Sequence, residues 1–573
     1  MRRGGDWLVR ETEASSVFSP ETLGEEHRLI AQMAAEFVAK EVEPALPELE
    51  RKNWDVARRL VRRSGELGLL GTDVPETDGG AGMDKAAAVI ATEAVGACPS
   101  FATTFGAQTG LALIPILCFG TPEQRARYLP GILSGEVVGA YCLSEAASGS
   151  DALGARARAT RAADGTWRLT GEKLWITNGG FADLFIVFAK VDGERFSAFI
   201  VERGFAGVST GHEEHKMGLH GSSTTALVLA DVPVPAANLL GEEGQGHRIA
   251  FNVLNYGRLK LAAMCTGAAR PAIAEAADYA RTRQQFGRPI ASFGAVQHKL
   301  AEMAIRLYSA ESMLYRATGL VDAGVAATNG DGAAVAGVLH EFALEASLLK
   351  VAASEMADFV LDENVQIHGG NGYVRDYPAE RRYRDARVNR IFEGTNEINR
   401  LLMPGLLVKR WRAGVLPLDE HMAHARQAEA APAAGTPATA SASALKTVTL
   451  ALLGRSIDRF GDALADDQEV AMLLADLLIE TFALECVTLR AEAAAGRASA
   501  GLHTDAATVW SHDARLRARS TAVTIAGALT DGKMSAGLGA WCDRQLAVEP
   551  VNTVEPRRRI AQAVLDRRRY PFR

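Results

Sequence analysis

Three apolar runs decide the fold of this 573-residue chain: ADLFIVFAKV (residues 182–191), RFSAFIVERG (195–204) and TTALVLADVPVP (224–235). Each run is short, rich in β-branched and aromatic residues, and bounded by Gly, Asp or Pro, which is the pattern of β-strands joined by turns. The runs lie near the middle of the chain. We therefore predict a small β-domain, a barrel or sandwich, over residues 140–246.

Helical periodicity lies on both sides of that domain. Ile30, Met33 and Phe37 fall on one stripe of a helical N-terminal domain, residues 25–139. After residue 246 apolar residues recur at intervals of four, three and four, beginning at Val296, and long helices of this kind usually form a bundle. We predict a helix-bundle domain over residues 247–415.

A compositional change marks the C-terminal part of the chain. The stretch AEAAPAAGTPATASASALK (428–446) is rich in Ala, Pro, Ser and Thr without apolar periodicity, so residues 416–446 are predicted to be a linker. Helical spacing resumes beyond it and predicts an extra C-terminal helical domain, residues 447–573. The expected fold class is mainly α with a central β-domain.

Bulk properties exclude several function classes. The formal net charge of −7 is small for this length, and the basic residues are dispersed, which argues against a nucleic-acid partner. The six cysteines include no CxxC pair, and His340 and Glu341 lack the second histidine of a zinc-binding helix, so neither disulfides nor a metal are predicted. The N-terminus has no apolar core of a signal peptide and no apolar run reaches membrane-spanning length, so we expect a cytoplasmic protein.

Five motifs in order carry the functional signal. The first two are YCLSEAASGSD (141–151) and WITNGG (175–180). Small residues and the hydroxyls of Ser144 and Ser150 suit a flavin edge or a phosphate, and Trp175 beside Thr177 could pack on a flavin ring. Taken alone, the first motif is more often an ordinary turn and the second a buried tryptophan before a turn.

The third and fourth motifs supply arginines. NYGRLKLAA (255–263) places Arg258 on a long helix, where it suits a phosphate or carbonyl of a large anionic substrate. RTRQQFGRPI (281–290) offers Arg283 to a pyrophosphate and Phe286 as an apolar neighbour, with Gln297 following. A solvated helix charge and a surface salt bridge are the alternatives, and each is favoured for its motif in isolation.

The fifth motif contains the candidate base. QIHGGNGY (366–373) has three glycines that allow close backbone approach, and RIFEGTNEINR (390–400) places Glu393 before a turn into a helix. Thr395 or Asn396 would cap that helix. Without further information Glu393 is more simply explained as a cap or a surface carboxylate.

Together the five motifs resemble the acyl-CoA dehydrogenase family over about residues 25 to 410. The segments AFIVERGFAGV (198–208) and MGLHGSSTTALVLADVPVPAANLLGEEGQG (217–246) look most like its very-long-chain branch. That branch also has a C-terminal helical domain after a linker, so the resemblance extends more weakly over the whole chain.

The resemblance implies a flavoprotein that binds FAD and acyl-CoA, with Glu393 as the catalytic base. Some members carry the base immediately before the arginine that corresponds to Arg258, but this chain has Gly257 there. The FAD site would comprise Tyr141, Leu143, Ser144, Ser150, Trp175, Thr177, Arg283, Phe286, Gln297, Gln366, Gly369, Gly370, Thr395 and Asn396. The acyl-CoA site would comprise Ser150, Asn255, Arg258 and Gly394.

Two departures from the family pattern concern flavin contacts. Ala146 stands where a proline is usual, and Gln284 and Gln285 follow Arg283 where Thr or Lys is common. Because some of the FAD contacts come from a second subunit in this family, a homodimer is the smallest unit expected to be active.

The implied reaction is the α,β-dehydrogenation of acyl-CoA to trans-2-enoyl-CoA in fatty acid β-oxidation. Glu393 would take the α-proton, and filling the pocket with an apolar chain would expel water and raise the pKa of its carboxyl group into the range where general bases work. The flavin would accept the β-hydride and pass electrons to an electron-transfer flavoprotein. An acyl-CoA oxidase that uses oxygen, or a non-catalytic scaffold of the same fold, are the alternatives.

Two features bear on the substrate and on a membrane. In FATTFGAQTGL (101–111) Gly106 and Gly110 would leave room for a long acyl chain, or else they allow close helix packing.

The C-terminal domain would be a structural dimer cap or a peripheral membrane contact. For the latter, six arginines near the C-terminus, with Tyr570 and Phe572, could touch acidic headgroups, although a solvated basic helix is favoured; the arginines are Arg557, Arg558, Arg559, Arg567, Arg568 and Arg569.

Overall fold

The computed structural model describes residues 3–328, 331–428, 438–530 and 535–572, and its helices lie on both sides of a central sheet. The helices of the N-terminal part are α1 (Glu25–Phe37), α2 (Glu43–Glu50), α3 (Trp54–Glu66), α4 (Lys85–Val95), α5 (Pro99–Gly106), α6 (Leu113–Phe119) and α7 (Pro122–Ser134). Those of the following bundle are α8 (Gly246–Thr282), α9 (Gly294–Ala326), α10 (Gly332–Glu341), α11 (Ala343–His368), α12 (Pro378–Ala386) and α13 (Asn396–Arg412). Those of the C-terminal part are α14 (Leu418–Ala428), α15 (Ala438–Phe460), α16 (Gln468–Ala493), α17 (Ala500–Leu529), α18 (Ser535–Gln545) and α19 (Val554–Arg567).

The central sheet is formed by the apolar runs with which the sequence analysis began. Its strands are β1 (Gly139–Cys142), β2 (Arg158–Arg161), β3 (Trp167–Thr177), β4 (Leu184–Val191), β5 (Arg195–Glu202), β6 (Val208–Thr210), β7 (Thr224–Val234) and β8 (Leu239–Leu240). The strand order is β6-β7-β3-β2-β4-β5-β8, with β1 parallel to β4. The three runs are β4, β5 and β7, and β4 is buried along most of its length because both of its faces are covered. The predicted mainly α fold with a central β-domain is confirmed.

The long helix α8 joins the sheet to the bundle. It begins at Gly246, where a Cβ atom would lie 2.8 Å from the backbone of Ser197 on β5, so only glycine lets the helix start this close to the sheet. Its many alanines favour a helix and allow close packing against α11, α4 and α9. A short hairpin of β9 (Gln284–Gln285) and β10 (Arg288–Pro289) then projects between α8 and α9.

The predicted linker needs correction. Of residues 416–446, α14 occupies Leu418–Ala428 and α15 begins at Ala438, while residues 429–437 lie outside the described residues. The absence of an apolar stripe favoured a linker over a helix. Alanine, however, has the highest intrinsic helix propensity, and Met422 and Ala425 of α14 are buried.

The aromatic residues of the C-terminal tail lie inside the fold, whereas most of the arginines are exposed, as expected for a solvated basic helix: Arg558, Arg559, Arg567, Arg568 and Arg569. Tyr570 is buried and donates a hydrogen bond from its hydroxyl to Glu311 Oε2 at 2.9 Å, and the Phe572 ring packs on Tyr308. The arginines around them are largely engaged with other groups: Arg557 with Glu302 and Asp513, Arg558 with Glu555, Arg559 with Asp505, Arg567 with the Pro571 carbonyl, and Arg568 with Asp278. The tail aromatics are therefore not presented to a membrane.

Within the part of the chain that the structure describes, one helical segment is long and apolar enough to cross a membrane, contrary to the expectation from the sequence. Pro99–Phe119 is 21 residues long with a mean hydropathy of 1.4, and 83% of its most apolar window is buried inside the protein. A second candidate, α10 with α11, is bent by 59°. Burial of this extent is typical of the core helices of a soluble domain, which pass the same test of length and composition.

Candidate active site

A cavity of ≈470 Å³ lies where the sheet meets the two helical parts. Its walls come from the π-helical turn Ala107–Ala112, from β1 and the loop that follows it, from β3, from the turn at residues 392–394, and from α8, α10, α11 and α13. The cavity collects ten residues that the sequence analysis predicted for one site: Tyr141, Leu143, Ser144, Ser150, Trp175, Thr177, Asn255, Arg258, Glu393 and Gly394.

Glu393 reaches this cavity from an unusual turn. Its φ of 58° and that of Gly394, 78°, both lie in the left-handed region, which non-glycine residues rarely adopt and which must be held by surrounding contacts. The side-chain amide of Asn399 holds it by donating to three successive carbonyls: Glu393 O at 3.3 Å, Gly394 O at 2.9 Å and Thr395 O at 3.0 Å. The turn is therefore fixed before any ligand arrives.

The helix that follows the turn is capped as predicted. The hydroxyl oxygen of Thr395 accepts a hydrogen bond from the backbone N–H of Ile398 at 3.2 Å, so Thr395 is the N-cap of α13. Asn396, the other candidate for the cap, is instead the first residue of the helix and is buried.

Gly257 provides the space for the Glu393 carboxylate. A Cβ atom at Gly257 would lie 2.9–3.0 Å from both carboxylate oxygens and from the carbon that joins them. Any side chain at this position would displace the carboxylate. Gly257 thus leaves free the space that the Glu393 carboxylate fills.

The Glu393 carboxylate is poised to exchange a proton near neutral pH. Its Oε2 atom is buried and has no hydrogen-bond partner among the described residues. Burial raises the pKa of Glu393 to about 7, although the positive charges of Arg258 and Lys350 oppose that increase. A carboxyl group without a partner that protrudes into a cavity, with a pKa near 7, has the properties of a general base.

Arg258 is engaged with the turn and not with solvent. Its Nε donates to Glu393 O at 3.2 Å, and its Nη1 donates to Asn255 Oδ1 at 3.1 Å and Ser347 Oγ at 3.4 Å. The side chain is buried, and burial lowers its pKa to about 10. The alternative of a solvated helix charge is therefore wrong: Arg258 lines the cavity and holds the backbone of Glu393.

Trp175 forms an exposed aromatic surface at the cavity wall. Its side chain is 61% exposed and its φ is 61°, so the alternative of a buried tryptophan before a turn is wrong. The backbone N–H of Leu174 donates to Ser144 O at 2.9 Å and so fixes the second motif beside the first. At Gly149 an added Cβ atom would meet nothing within 4 Å, which leaves the wall open for a ligand.

The other predicted site residues lie outside this cavity. Arg283, Phe286, Gln366, Gly369 and Gly370 are exposed, and Phe286 is 92% exposed with a φ of 53° at the tip of the β9–β10 hairpin. Gln297 is half-buried and donates to the Ala291 carbonyl at 3.0 Å. The single chain therefore divides the predicted cofactor residues into a cavity group and a surface group.

Asn396 belongs to neither group. Its side chain is 1% exposed, and its Oδ1 accepts a hydrogen bond from Lys350 Nζ at 2.6 Å. Its Nδ2 donates to Ser354 Oγ at 3.1 Å and to Glu355 Oε1 at 3.0 Å. These contacts direct the side chain into the bundle, which corrects the expectation that it contacts a cofactor in this conformation.

The two glycines expected to deepen the pocket do not line it. A Cβ atom at Gly106 would lie 3.6 Å from Met264 Sδ, and one at Gly110 would lie 3.5 Å from Lys260 Cδ, so both face α8 at ordinary contact distance. Close helix packing, the alternative given above, is what the structure shows. The cavity is lined instead by Ala107 and Leu111 of the same segment.

Sequence reasoning also missed residues that complete the site. Asn399 holds the turn of Glu393 from within the fifth motif, and Lys350 reaches Asn396 of that motif from α11, but neither residue was predicted from the sequence. The apolar lining comes from residues scattered over four elements: Ala107, Leu111, Leu254, Phe392, Ile398, Leu402 and Leu406.

Four protein-family models match the chain. They are described as the N-terminal domain (residues 24–136), the middle domain (140–232) and the C-terminal domain (244–404) of acyl-CoA dehydrogenase, with a second model, also described as an acyl-CoA dehydrogenase C-terminal domain, over residues 444–536.

Individual proteins match over most or all of the chain. A probable acyl-CoA dehydrogenase of Bacillus subtilis is 40% identical over 100% of this chain and 98% of its own length. The human mitochondrial short-chain specific acyl-CoA dehydrogenase is 38% identical over 71% of this chain and 95% of its own length. The crystal structure of an acyl-CoA dehydrogenase complexed with FAD from Bacillus anthracis superposes with a TM-score of 0.97 at 42% identity, and the match covers 100% of both chains.

Proposed function

Because this chain belongs to the acyl-CoA dehydrogenase family and is an FAD-dependent enzyme of that family, we propose that it converts a long-chain acyl-CoA to its trans-2-enoyl-CoA in fatty acid β-oxidation, with Glu393 as the base. The observation that carries this proposal is the place of the Glu393 carboxylate. It enters the cavity over Gly257 with Oε2 buried and unpartnered. A scaffold protein of the same fold would have no use for such a group, which is costly to bury.

The residues around the cavity fit FAD. A large indole exposed in a left-handed backbone conformation indicates a surface that another planar group covers, and the open space at Gly149 leaves room for it. We propose that Tyr141, Leu143, Ser144, Trp175 and Thr177 hold the flavin ring. The surface group then holds the pyrophosphate and adenine end: Arg283, Phe286, Gln297, Gln366, Gly369 and Gly370.

In the proposed mechanism Glu393 breaks the Cα–H bond of the thioester. Its carboxylate takes the α-proton, and the electron pair of that bond becomes the second bond between Cα and Cβ as the β-hydrogen leaves as hydride. FAD, when bound, supplies the hydride acceptor. The backbone N–H of Glu393 is proposed to donate to the thioester carbonyl, where negative charge develops. The apolar walls exclude water, which keeps the carboxylate basic enough for this step.

A panel of acyl-CoAs tests both the reaction and the chain length. Anaerobic mixing of the purified holoenzyme with butyryl- to stearoyl-CoA should bleach the oxidised flavin, with the fastest bleaching at the long end. The long-chain proposal is supported by the two segments that resemble the very-long-chain branch and by the apolar lining at Ala107 and Leu111. A sharp optimum at butyryl-CoA contradicts the chain length alone. Absence of bleaching by every member contradicts the reaction.

The bleaching rate should rise with pH through the pKa of Glu393. Only the deprotonated carboxylate can accept the α-proton, and burial holds its pKa at about 7, so the rate is expected to be low below about pH 6 and to level off above about pH 8. Stopped-flow measurement of flavin absorbance between about pH 5.5 and about pH 9 gives the profile. A rate that is unchanged across this range would exclude Glu393 as the titrating base.

The electron acceptor is proposed to be an electron-transfer flavoprotein. This follows from the family, in which dehydrogenases commonly use such a partner, whereas the related oxidases use oxygen. Aerobic turnover should therefore release little hydrogen peroxide, and added electron-transfer flavoprotein should accelerate it. Stoichiometric peroxide formation would favour the oxidase alternative.

We further propose a homodimer or larger homo-oligomer in the cytoplasm. The exposed rings of Phe286 and Tyr373, 92% and 88% exposed, lie in the two motifs that supply the surface group, so a second copy of the chain could complete the FAD site there. Sedimentation velocity of the holoenzyme should show a dimer or larger species. Membrane contact is not favoured, since the tail aromatics are buried, and liposome co-sedimentation should be weak and insensitive to Arg→Ser changes in the tail.

A further inference from the structure

Lys350 is a buried cation behind the catalytic turn, to which neither the family resemblance nor the sequence motifs assign a role. It lies on α11, its side chain is 0% exposed, and its Nζ donates to Asn396 Oδ1 at 2.6 Å. Asn396 begins α13 and follows Glu393 by three residues. The ammonium group is thus attached to the first turn of the helix that follows the Glu393 turn.

This hydrogen bond is part of a network that joins α11 to α13. The amide of Asn396 donates to Ser354 Oγ and Glu355 Oε1, and Glu355 is in turn paired with Arg400 at 2.7 Å. Lys350, Ser354 and Glu355 all lie on α11, whereas Asn396 and Arg400 lie on α13. The two helices are therefore fixed relative to each other at the point where the turn of Glu393 begins.

If its role were only to hold Asn396 in place, a buried lysine would cost more free energy here than a neutral side chain. Burial of an ammonium group disfavours its charge, and burial lowers the pKa of Lys350 to about 8. A neutral side chain such as glutamine could donate the same hydrogen bond to Asn396. The positive charge itself is what lysine adds.

The charges that face Lys350 identify what the charge acts on. Cys265 on α8 is the first of these groups, but burial raises its pKa to about 12, so it is a neutral thiol. Glu393 follows, then the cation Arg258, and the carboxylate of Glu397 is exposed to solvent. Glu393 is faced by Arg258 and Lys350, and Tyr141 lies near it with a pKa raised well above its usual value by burial and by the charge of Glu393. Among the carboxylates that face Lys350, the one with the strongest electrostatic interaction is therefore Glu393.

We propose that Lys350 is a positioning residue for the catalytic base, holding the Glu393 turn through Asn396 and providing a second buried positive charge, besides Arg258, that favours the carboxylate form. The inference rests on the proposed function of Glu393. It explains how a carboxylate whose Oε2 has no hydrogen-bond partner can remain ionised in an apolar cavity at neutral pH.

The sign of the effect follows from the charge. Lys350 attracts the ionised form of Glu393, so its removal should raise the pKa of Glu393 and leave less carboxylate at neutral pH. In the Lys350→Met holoenzyme the pH of half-maximal flavin bleaching should move upward by about one unit, which corresponds to about a tenfold slower rate below pH 7. Lys350→Arg keeps the charge and should restore the wild-type midpoint to within a few tenths of a unit.

A matched control separates this effect from general loss of packing. Lys216 in the β-domain is also partly buried, its pKa is also lowered to about 8 by burial, and its Nζ donates to Thr224 Oγ1 at 2.8 Å. Lys216→Met should leave the midpoint unchanged. Thermal unfolding and flavin absorbance should be recorded for every variant, to show that the proteins compared are folded and hold FAD.

A second readout does not require turnover. Infrared difference spectra of each protein against the same protein carrying Glu393→Gln isolate the protonated carboxyl band of Glu393, which can be titrated directly. The proposal expects this band to persist to higher pH in Lys350→Met. If the band titrates at the same pH in Lys350→Met and in wild type, Lys350 has only a structural role. If no acyl-CoA bleaches the wild-type flavin, the proposed reaction fails, yet the infrared titration still decides the role of Lys350.

Discussion

Replacing Glu393 with glutamine is expected to slow flavin bleaching by acyl-CoA by about 10³-fold. The glutamine amide has nearly the same shape as the carboxyl group and fits the space over Gly257, but it cannot accept the α-proton. FAD content and acyl-CoA binding should be retained, because the turn is held by backbone contacts to Arg258 and Asn399 that the substitution leaves intact. The measurement is single-turnover bleaching under anaerobic conditions.

Glu397→Gln is the matched control for this change. Glu397 follows Glu393 by four residues and lies in the first turn of α13; its side chain is exposed, and it does not line the cavity. Its substitution should leave the bleaching rate within about a factor of two, the size expected for the loss of a distant, solvent-screened charge. If Glu393→Gln instead reacted at the wild-type rate, another group would be the base and the proposed mechanism would be wrong.

Replacing Arg490 with methionine should destabilise the protein by about 3–5 kcal/mol, the cost typical of leaving buried carboxylates without their partner. Arg490 lies on α16 of the C-terminal part and is 1% exposed. Its Nη2 lies 2.6 Å from Glu21 Oε1 and 2.7 Å from Glu311 Oε2, and its guanidinium packs over the Tyr308 ring at 4.2 Å. One side chain thus joins the N-terminal segment, α9 and the C-terminal part.

The pH dependence of this loss has a definite sign. Burial alone would raise the pKa of Glu21, but the attraction of Arg490 outweighs it and the pKa lies below its usual value. Wild type therefore gains stability from this group above the pKa of the unfolded chain and loses it as the pH falls. Without Arg490 the carboxyl groups can take up protons, so the deficit should be smaller at about pH 5 than at about pH 7.5.

Urea unfolding and thermal unfolding of the holoenzyme measure the effect. Arg558→Met is the control, since Arg558 is 56% exposed and, among the described residues, pairs with Glu555 one turn away, an arrangement worth less than about 1 kcal/mol. Equal losses for Arg490→Met and Arg558→Met would show that the buried ion pairs do not join the C-terminal part to the rest of the protein.

The sequence by itself determined the order of helical and strand segments, and its resemblance to a family indicated the candidate base. Hydrophobic periodicity is a local property, so the runs that became β4, β5 and β7 and the stripes of the long helices could be recognised without the structure. Thr395 could be selected as a cap because capping depends on a few adjacent residues. Glu393 and the other nine predicted residues of the cavity came from the resemblance of the five ordered motifs to a known family, which the motifs taken singly did not indicate.

Only the tertiary structure decided which polar groups are buried away from water and which of them contact each other. The left-handed turn at Glu393, the inward orientation of Arg258 and Asn396, and the approach of Lys350 depend on contacts between helices distant in sequence. The same holds for Gly106 and Gly110, whose free faces turned out to pack on α8, and for the buried C-terminal tail. Burial and opposing charge set the pKa of a carboxyl group, and both are properties of the assembled fold, so the sequence could name the base but not show why it would be basic.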